Sequence, residues 1–204
     1  MSKFTTLEQH ASYGIGLQMG QQLADRPFDG LDITAVAAGL AAAYNEEAPE
    51  VTEDQIRAAF TVISERMQTV EQEKAAALAE AGEVFLTENA KRAEVTTTAS
   101  GLQYEVLVAA EGEKPTAAST VRTHYHGTLI DGTVFDSSYQ RGEPAEFPVS
   151  GVIAGWTEAL QMMAVGSKLR LYVPHNLAYG ERGAGNAIAP FSTLIFDVEL
   201  LAIV

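Results

Sequence analysis

Cysteine is absent from this sequence of 204 residues. Disulfides, thiolate nucleophiles and cysteine-ligated metals are therefore excluded. Long apolar runs are absent too. No segment approaches the roughly 18 apolar residues of a membrane span, and the N-terminus has no run of signal-peptide length. We therefore expect no membrane partner and a cytoplasmic location, or a periplasmic one only if a leader has been removed.

Positive charge is scarce, because 13 Lys and Arg residues face 27 Asp and Glu residues and the formal net charge is -14. Such a surface repels nucleic acid and anionic lipid at long range. We therefore expect no nucleic-acid partner. The hydrophobic fraction of 47% is enough for one full core or for two small domains.

The first part of the chain predicts a helix over about residues 6–24. Thr5 and Glu8 have the spacing of a capping box. Apolar residues then recur four apart along one side: Leu7, Ala11, Ile15, Met19 and Leu23. Three glycines in this helix, Gly14, Gly16 and Gly20, each cost about 1 kcal/mol relative to Ala. We interpret them as positions where another backbone comes close.

A short Ala-rich helix follows, and a much longer helix begins at a second capping box of Thr52 and Gln55. This helix is predicted to have roughly 40 residues, which corresponds to a length of about 60 Å. Its apolar seam consists of Ile56, Phe60, Ile63, Met67 and Val70. After Val70 the seam fades into a charged stalk. We expect the helices to bury these faces against a second copy of the chain, with an intramolecular three-helix bundle as the alternative.

From about residue 98 the sequence alternates with a period of two, which indicates strands. Strands are expected at about 102–108, 120–130, from 134, 168–174 and 192–204, and one short helix at 155–161. In the strand 120–130, Val121, Thr123 and Tyr125 share one face, so Tyr125 is expected to point with the core. The predicted fold class is α+β, with an antiparallel sheet wrapped over a short helix. The predicted domains are a helical dimerisation domain at 1–50, a long stalk helix at 51–95 whose first half joins the dimer interface, and a β-rich domain at 96–204.

The segment 134–156 combines large apolar residues with turn-forming glycines and prolines. Buried faces of helices and strands would place such residues on a regular period. The irregular spacing instead predicts a walled cavity, with a core loop as the alternative.

Polar residues of the same region suggest three rival chemistries. They are a metal site at His124 and His126, hydrolysis by Asp136 with Glu143 and Glu146, and a nucleophile at Ser137 or Ser138. The sequence places no third ligand beside the histidines, no sugar or phosphate site beside the carboxylates, and no Gly-x-Ser-x-Gly context at the serines. We expect neither a metal nor a cofactor.

Five motifs in order carry a resemblance to a known family. They are His124-Tyr125-His126-Gly127, Val134-Phe135-Asp136-Ser137-Ser138, Gly151-Val152-Ile153-Ala154-Gly155-Trp156, Ala178-Tyr179-Gly180 and Phe196-Asp197-Val198-Glu199-Leu200-Leu201. Across about 100–204 the chain resembles the FKBP-type peptidyl-prolyl cis-trans isomerases. Residues 11–16 and the stalk resemble the dimeric bacterial branch that includes the macrophage infectivity potentiator, and most of all its cytoplasmic FklB-like members. That branch implies a V-shaped homodimer joined through intertwined N-terminal helices.

The resemblance implies which residues form the site. The catalytic residues would be Tyr125, Phe135, Asp136, Trp156, Tyr179 and Phe196. The substrate-binding residues would be Arg141, Phe147, Val152, Ile153 and Ile188. Trp156 would form the floor under the proline ring, Asp136 would orient the pocket with Arg141 as its partner, and the Ile153 N–H and Tyr179 hydroxyl would hold substrate carbonyls.

The expected function is isomerisation of X-Pro bonds during protein folding, by desolvation of a twisted amide in the aromatic pocket. The expected partners are a second copy of the chain, proline-containing unfolded polypeptides, and macrolides such as tacrolimus or rapamycin. The alternative is a chaperone or binding module for unfolded chains with incidental isomerase activity. The sequence has Ala145, Ala154 and Ala189 where the family usually has an aromatic residue or proline, and His126 where it has Thr. Substrate preference and macrolide affinity are therefore where we expect differences from the family.

Overall fold

The structure is a computed structural model that describes residues 3–25 and 27–204. Its contacts divide the chain into two compact units, Met1–Val70 and Glu71–Val204. No helix in these described stretches is long and apolar enough to cross a lipid bilayer.

The N-terminal unit contains α1 (Leu7–Asp25), α2 (Ile33–Tyr44) and the first part of α3 (Glu53–Asn89). The Asp32 carboxylate caps α2 by accepting the N–H of Thr34 at 2.8 Å. The predicted capping box of α3 is confirmed: the Thr52 N–H donates to Gln55 Oε1 at 3.0 Å and the Gln55 N–H donates to Thr52 Oγ1 at 3.3 Å. These reciprocal bonds satisfy two donors that helix geometry leaves free.

The capping box predicted for α1 at Thr5 and Glu8 is wrong by one residue. The Gln9 N–H donates to Thr6 Oγ1 at 3.2 Å, and Gln9 Oε1 accepts the N–H of Thr5 at 2.8 Å. The helix therefore begins one residue later than that box implies. A neutral amide at Gln9, and not the Glu8 carboxylate, makes the return contact.

Many apolar residues of the N-terminal unit are exposed, and the others that the structure describes there are only half-buried. Within the described chain, α1 and α2 contain no buried residue. Phe60 is 64% exposed and Ile15 is 60% exposed. A Cβ atom at Gly16 would meet nothing within 4 Å. The described residues therefore form no intramolecular three-helix core, contrary to that alternative.

The C-terminal unit is built around one antiparallel sheet with the strand order β1-β2-β6-β7-β3-β4, in which β5 also pairs with β3. The strands are β1 (Thr96–Thr97), β2 (Gln103–Val108), β3 (Thr120–Leu129), β4 (Val134–Ser137), β5 (Ala145–Pro148), β6 (Lys168–Val173) and β7 (Leu194–Ile203). The helices are α4 (Ser138–Arg141) and α5 (Ala154–Met162). Every strand predicted from the sequence is present, whereas β1, β5 and α4 were not predicted.

The core lies between α5 and one face of the sheet. On β3, Val121 and Thr123 are completely buried and Tyr125 continues the same face. From α5, Trp156 and Leu160 belong to the same cluster of buried side chains. The predicted alternation of β3 thus directs Tyr125 toward the α5 side, where Trp156 lies.

The end of α3 packs on the sheet, which corrects the prediction of a solvated second half of the stalk. Gly82 is buried, and a Cβ atom there would lie 2.4 Å from Thr193 Oγ1. Asn89 Nδ2 donates to Gln103 Oε1 at 2.9 Å, and Gln103 Nε2 donates to the Leu86 carbonyl at 2.9 Å. Phe85 also packs on Tyr172, with ring centroids 5.9 Å apart. The contact was missed because this face of the helix is offset from the seam that ends at Val70.

Candidate active site

A cavity of about 460 Å³ lies where β3, β4, β5 and α5 meet the segment that precedes β7. It is lined by Tyr125, Phe135, Asp136, Phe147, Gly151, Val152, Ile153, Trp156, Tyr179, Ala187, Ile188 and Phe196. All the predicted site residues except Arg141 are in this lining. Gly151 and Ala187 were not among the predicted site residues. The only signal for Gly151 was that it opens the motif containing Val152 and Ile153.

Trp156 is the centre of an aromatic cluster at the cavity. It lies in the first turn of α5 and is only 4% exposed. Its ring centroid is 5.3 Å from that of Tyr125, 5.4 Å from that of Phe147 and 5.2 Å from that of Phe196. The interplanar angles of 84°, 61° and 82° are those of edge-to-face packing. The indole orientation is therefore fixed from three sides.

Trp156 also carries a buried polar atom without a partner. Its Nε1 donates to no acceptor among the described residues. An unpaired buried donor typically costs about 1–3 kcal/mol. Thr123 Oγ1 and His175 Nδ1 are unpaired and buried in the same way, so the unpaired Nε1 by itself assigns no ligand to the cavity.

Two glycines permit the close packing of these rings. A Cβ atom at Gly127 would lie 2.7 Å from the Phe135 ring and 3.0 Å from the Phe196 ring. A Cβ atom at Gly155 would lie 2.6 Å from Val173 Cγ1. Both positions exclude a side chain, so the aromatic wall and α5 can approach the sheet.

Asp136 is the charged residue of the cavity lining, and two partners neutralise it. The Tyr125 hydroxyl donates to its Oδ2 at 2.5 Å, and Arg141 Nη1 donates to its Oδ1. Arg141 Nη2 also donates to the Tyr125 hydroxyl at 2.9 Å. The three side chains close a ring of hydrogen bonds at the cavity rim. Arg141 was expected to be the partner of Asp136, and it makes this contact from outside the cavity lining.

The protonation of this ring of hydrogen bonds is set by its surroundings. Burial, and after it the hydrogen bond to the Asp136 carboxylate, raises the pKa of Tyr125 above its usual value. The hydrogen bond to the Tyr125 hydroxyl, and after it that to Asp136, raises the pKa of Arg141. The phenol therefore stays a donor and the guanidinium stays charged throughout the neutral range.

The donors predicted to hold substrate carbonyls are unoccupied by protein groups. Ile153 precedes the first turn of α5, and its N–H has no acceptor within the described chain. The Tyr179 hydroxyl likewise has no protein partner there, and the side chain is 41% exposed. Of the two tyrosines that line the cavity with Asp136, the one whose hydroxyl donates to its carboxylate is Tyr125. Both donors remain available to a ligand in the cavity.

The segment 180–191 carries Ile188 to the cavity. The Ala184 N–H donates to the Ile188 carbonyl at 2.8 Å, and the Phe191 N–H donates to the Gly180 carbonyl at 2.9 Å. Gly183 has a φ of +63°, and a Cβ atom there would lie 2.2 Å from the Ile188 carbonyl oxygen. Glycine is therefore needed for this turn to place Ile188.

The rival chemistries do not fit the geometry. His124 Nδ1 lies 2.9 Å from Ser138 Oγ, and His126 Nδ1 lies 3.1 Å from Ser137 Oγ. The described residues contain no group of three His, Cys, Asp or Glu that could hold a metal. Ser138 is completely buried and Ser137 is 3% exposed, so no substrate reaches either hydroxyl.

The proposed acid pair does not fit either. Glu146 accepts from Arg122 Nε at 2.6 Å, and neither Glu146 nor Glu143 lines the cavity with Asp136. Of the departures from the resembled family, Ala145, Ala154 and Ala189 also lie outside the lining.

Two family models match the chain. The model described as FKBP-type peptidyl-prolyl cis-trans isomerase matches residues 111–201. The model described as the domain amino terminal to FKBP-type peptidyl-prolyl isomerase matches residues 8–106. Together they cover both compact units.

Individual relatives match over nearly the whole chain. The FKBP-type 22 kDa peptidyl-prolyl cis-trans isomerase of Escherichia coli (strain K12) is 54% identical over 200 residues, which are 98% of this chain and 97% of the relative. Peptidyl-prolyl cis-trans isomerase Mip of Coxiella burnetii is 40% identical over 202 residues, with 97% and 87% covered. The crystal structure of FkpA from Escherichia coli aligns with a TM-score of 0.74 at 34% identity and covers 98% of both chains. The predicted α+β architecture is confirmed.

Proposed function

The chain belongs to the FKBP-type peptidyl-prolyl cis-trans isomerases, and we propose that its aromatic cavity lowers the isomerisation barrier by excluding water from a twisted X-Pro amide. The protein is an enzyme of this class.

The proposed mechanism follows from the nature of the amide bond. Rotation about it breaks resonance and has a barrier of about 18–20 kcal/mol. The twisted amide has less charge separation than the planar one, so an apolar environment favours it over the ground state. The rings around Trp156 provide that environment, and no nucleophile takes part.

The polar groups of the site orient the substrate. The paired carboxylate of Asp136 lies at the edge of the cavity without an unbalanced charge, because Tyr125 and Arg141 both donate to it. The free Ile153 N–H and Tyr179 hydroxyl hold the carbonyl groups on either side of the proline. Rotation is then confined to the X-Pro bond.

The observation that carries this proposal is the edge-to-face packing of three rings on Trp156. Each such pair contributes about 0.5–1.5 kcal/mol beyond burial. Trp156→Leu removes this packed floor and admits water to the cavity, so we expect kcat/KM for a prolyl peptide to fall about 100-fold, the equivalent of about 2.7 kcal/mol. The matched control is Leu160→Val, which perturbs the core side of the same helix and should retain turnover. Full turnover in folded Trp156→Leu would contradict the mechanism.

We propose that the N-terminal unit joins two copies of the chain. The support is its surface of exposed apolar residues, which includes Leu7, Tyr13, Ile15 and Phe60. Sedimentation of the full chain should give twice the monomer mass. A monomer at micromolar concentration would contradict the proposal.

A second candidate function is the capture of unfolded chains, which one feature favours. A groove of about 770 Å³ runs along α1 and includes Tyr13, Gly16 and Leu17, and it would hold an unfolded segment only where α1 is not paired with a second copy. The test compares the full chain with the fragment 71–204, which retains the packed end of α3. Equal isomerisation of a short peptide, together with weaker acceleration of proline-limited protein refolding by the fragment, supports capture by the N-terminal unit.

The proposed location is the cytoplasm, which fractionation of cells tests. The proposed ligands include macrolides such as tacrolimus or rapamycin. Their binding is tested by measuring whether they inhibit isomerisation in the peptide assay. Because Ala145, Ala154 and Ala189 lie outside the lining, we expect the main contacts of such a ligand to be with the rings around Trp156.

A further inference from the structure

The outer edge of β3 has a gap at Tyr125. On this edge β5 pairs with β3 from Thr120 to Thr123, and β4 pairs with it from His126 to Thr128. Tyr125 has a register partner only on the opposite edge, where it faces Val198 of β7. Neither outer strand therefore supplies hydrogen bonds to the Tyr125 backbone.

The side chain of Ser138 fills this gap. The Tyr125 N–H donates to Ser138 Oγ at 2.7 Å, and Ser138 Oγ donates to the Tyr125 carbonyl at 3.1 Å. The same oxygen lies 2.9 Å from His124 Nδ1. Ser138 has no exposed surface. One hydroxyl thus makes the pair of contacts that a residue of a neighbouring strand would otherwise make.

We propose that Ser138 is a positioning residue for the isomerase reaction, which holds the Tyr125 backbone so that the Tyr125 hydroxyl meets Asp136 and Arg141. This inference rests on the proposed function of the cavity. Ser138 touches no substrate, and it acts only through Tyr125.

The position of Ser138 in the chain explains why this hydroxyl matters. It follows Asp136 by two residues and precedes Arg141 by three. The bond from Ser138 to Tyr125 therefore connects the segment that carries the carboxylate and the guanidinium to the strand that carries the phenol. Without it, the Tyr125 N–H and carbonyl would lose their partners at a partly buried position, where unpaired backbone groups are unfavourable.

The hydrogen bonds of Ser138 also determine which ring nitrogen of His124 carries a proton. The Oγ atom has one proton, and this proton is directed to the Tyr125 carbonyl. All contacts are satisfied when His124 carries its proton on Nδ1 and donates to Oγ. The alternative tautomer would leave two acceptors competing for one hydroxyl proton.

The test is Ser138→Ala in the full chain, with Ser137→Ala as the matched control. Ser137 is a neighbouring buried serine that contacts His126 and Gln140 and makes no contact with Tyr125. Because small misplacements in an active site are costly, we expect kcat/KM for a prolyl peptide to fall about tenfold in Ser138→Ala, mainly through kcat. Ser137→Ala should remain within about twofold of the parent. If Ser138→Ala does not fold, Ser138→Cys, which keeps a weak donor and acceptor, takes its place.

A double-variant cycle separates positioning from general stability. In a Tyr125→Phe background the hydroxyl that Ser138 positions is gone and only the ring can still be displaced, so adding Ser138→Ala should lower kcat/KM clearly less than tenfold. An equal tenfold loss in both backgrounds would overturn the proposal, and so would unchanged kcat in folded Ser138→Ala.

The failure of this inference is distinguishable from failure of the proposed function. Trp156→Leu reports on the cavity itself. If Trp156→Leu loses turnover and Ser138→Ala keeps full turnover, only the role of Ser138 is overturned. Full turnover in both variants overturns the cavity mechanism and, with it, the role of Ser138.

Discussion

The rings of Tyr125 and Trp156 meet at 84°, with their centroids 5.3 Å apart. The hydroxyl of the same tyrosine donates to Asp136 at 2.5 Å. Tyr125 thus belongs both to the apolar wall and to the polar rim of the cavity. A change in its position alters desolvation and orientation together, so the two contributions have to be separated by removing single atoms.

Tyr125→Phe removes the hydroxyl and keeps the ring against Trp156. Asp136 then retains only Arg141 as a donor, and we expect kcat for a prolyl peptide to fall about tenfold, the value of about one hydrogen bond to a charged group. KM should change little, because the apolar wall is intact. Stopped-flow peptide isomerisation measures both.

The matched control for Tyr125→Phe is Tyr104→Phe, which removes a hydroxyl from a tyrosine that packs against the core outside the cavity. Its kinetics should equal those of the parent. Identical kinetics of Tyr125→Phe and the parent would show that the hydroxyl has no part in the reaction.

Tyr125 also predicts a change of stability with pH. Burial, and then Asp136, raises its pKa in the folded state. Its contribution to stability is therefore fully present below the unfolded-state pKa of about 10, and it is lost as the pH rises through the higher folded value. Urea unfolding between about pH 9 and pH 11 should show a steeper loss of stability in the parent than in Tyr125→Phe.

Other tyrosines do not obscure this comparison. The pKa values of Tyr139 and Tyr172 are also raised, chiefly by burial, but both residues are present in both proteins and their contributions cancel in the difference. Parallel stability curves for the parent and Tyr125→Phe would contradict the shift at Tyr125.

Much of the fold followed from local patterns. The alternation of β3 placed Val121, Thr123 and Tyr125 on one face, and the structure confirms this. The capping box at Thr52 and Gln55 likewise marked the start of α3. Both patterns depend only on residues that are close in sequence. Such local patterns are enough to predict the type of the element and the face that it buries.

The elements that were missed depend on distant residues. The strand β5 has four residues and ends at Pro148, so it has no alternation long enough to detect, and it exists because β3 offers an edge. The packing of α3 on the sheet depends on Gly82 meeting Thr193, which are far apart in the chain. Within the candidate site, the family motifs identified the aromatic lining, but the bond from Ser138 to the Tyr125 backbone required the fold.

Gly82→Ala tests that packing of α3. Alanine is the better helix former by about 1 kcal/mol, so an exposed helix would gain stability. Here the new Cβ would lie 2.4 Å from Thr193 Oγ1, and Thr193 is buried. We expect overpacking to prevail and to destabilise the C-terminal unit by about 1–3 kcal/mol in urea unfolding.

The double variant Gly82→Ala with Thr193→Ala is the control for this clash. It removes the Oγ1 atom that the new methyl group meets, so it should recover part of the loss relative to Gly82→Ala. A gain of stability in Gly82→Ala alone would show that the end of α3 is free of the sheet.

Replacing the glycines of α1 by alanine should have opposite effects on a monomer and on a dimer. A Cβ atom at Gly16 or Gly20 meets nothing within 4 Å in the single chain, so each change to Ala would stabilise a monomeric helix by about 1 kcal/mol. If a second copy packs at these positions, the added methyl groups hold the two backbones apart. We then expect each substitution to weaken the dimer about tenfold or more. Sedimentation equilibrium measures this, with Gln18→Ala on the same helix as the control because Gln18 lies outside the α1 groove. Unchanged association with a more stable helix would place the contact between copies elsewhere on the N-terminal unit.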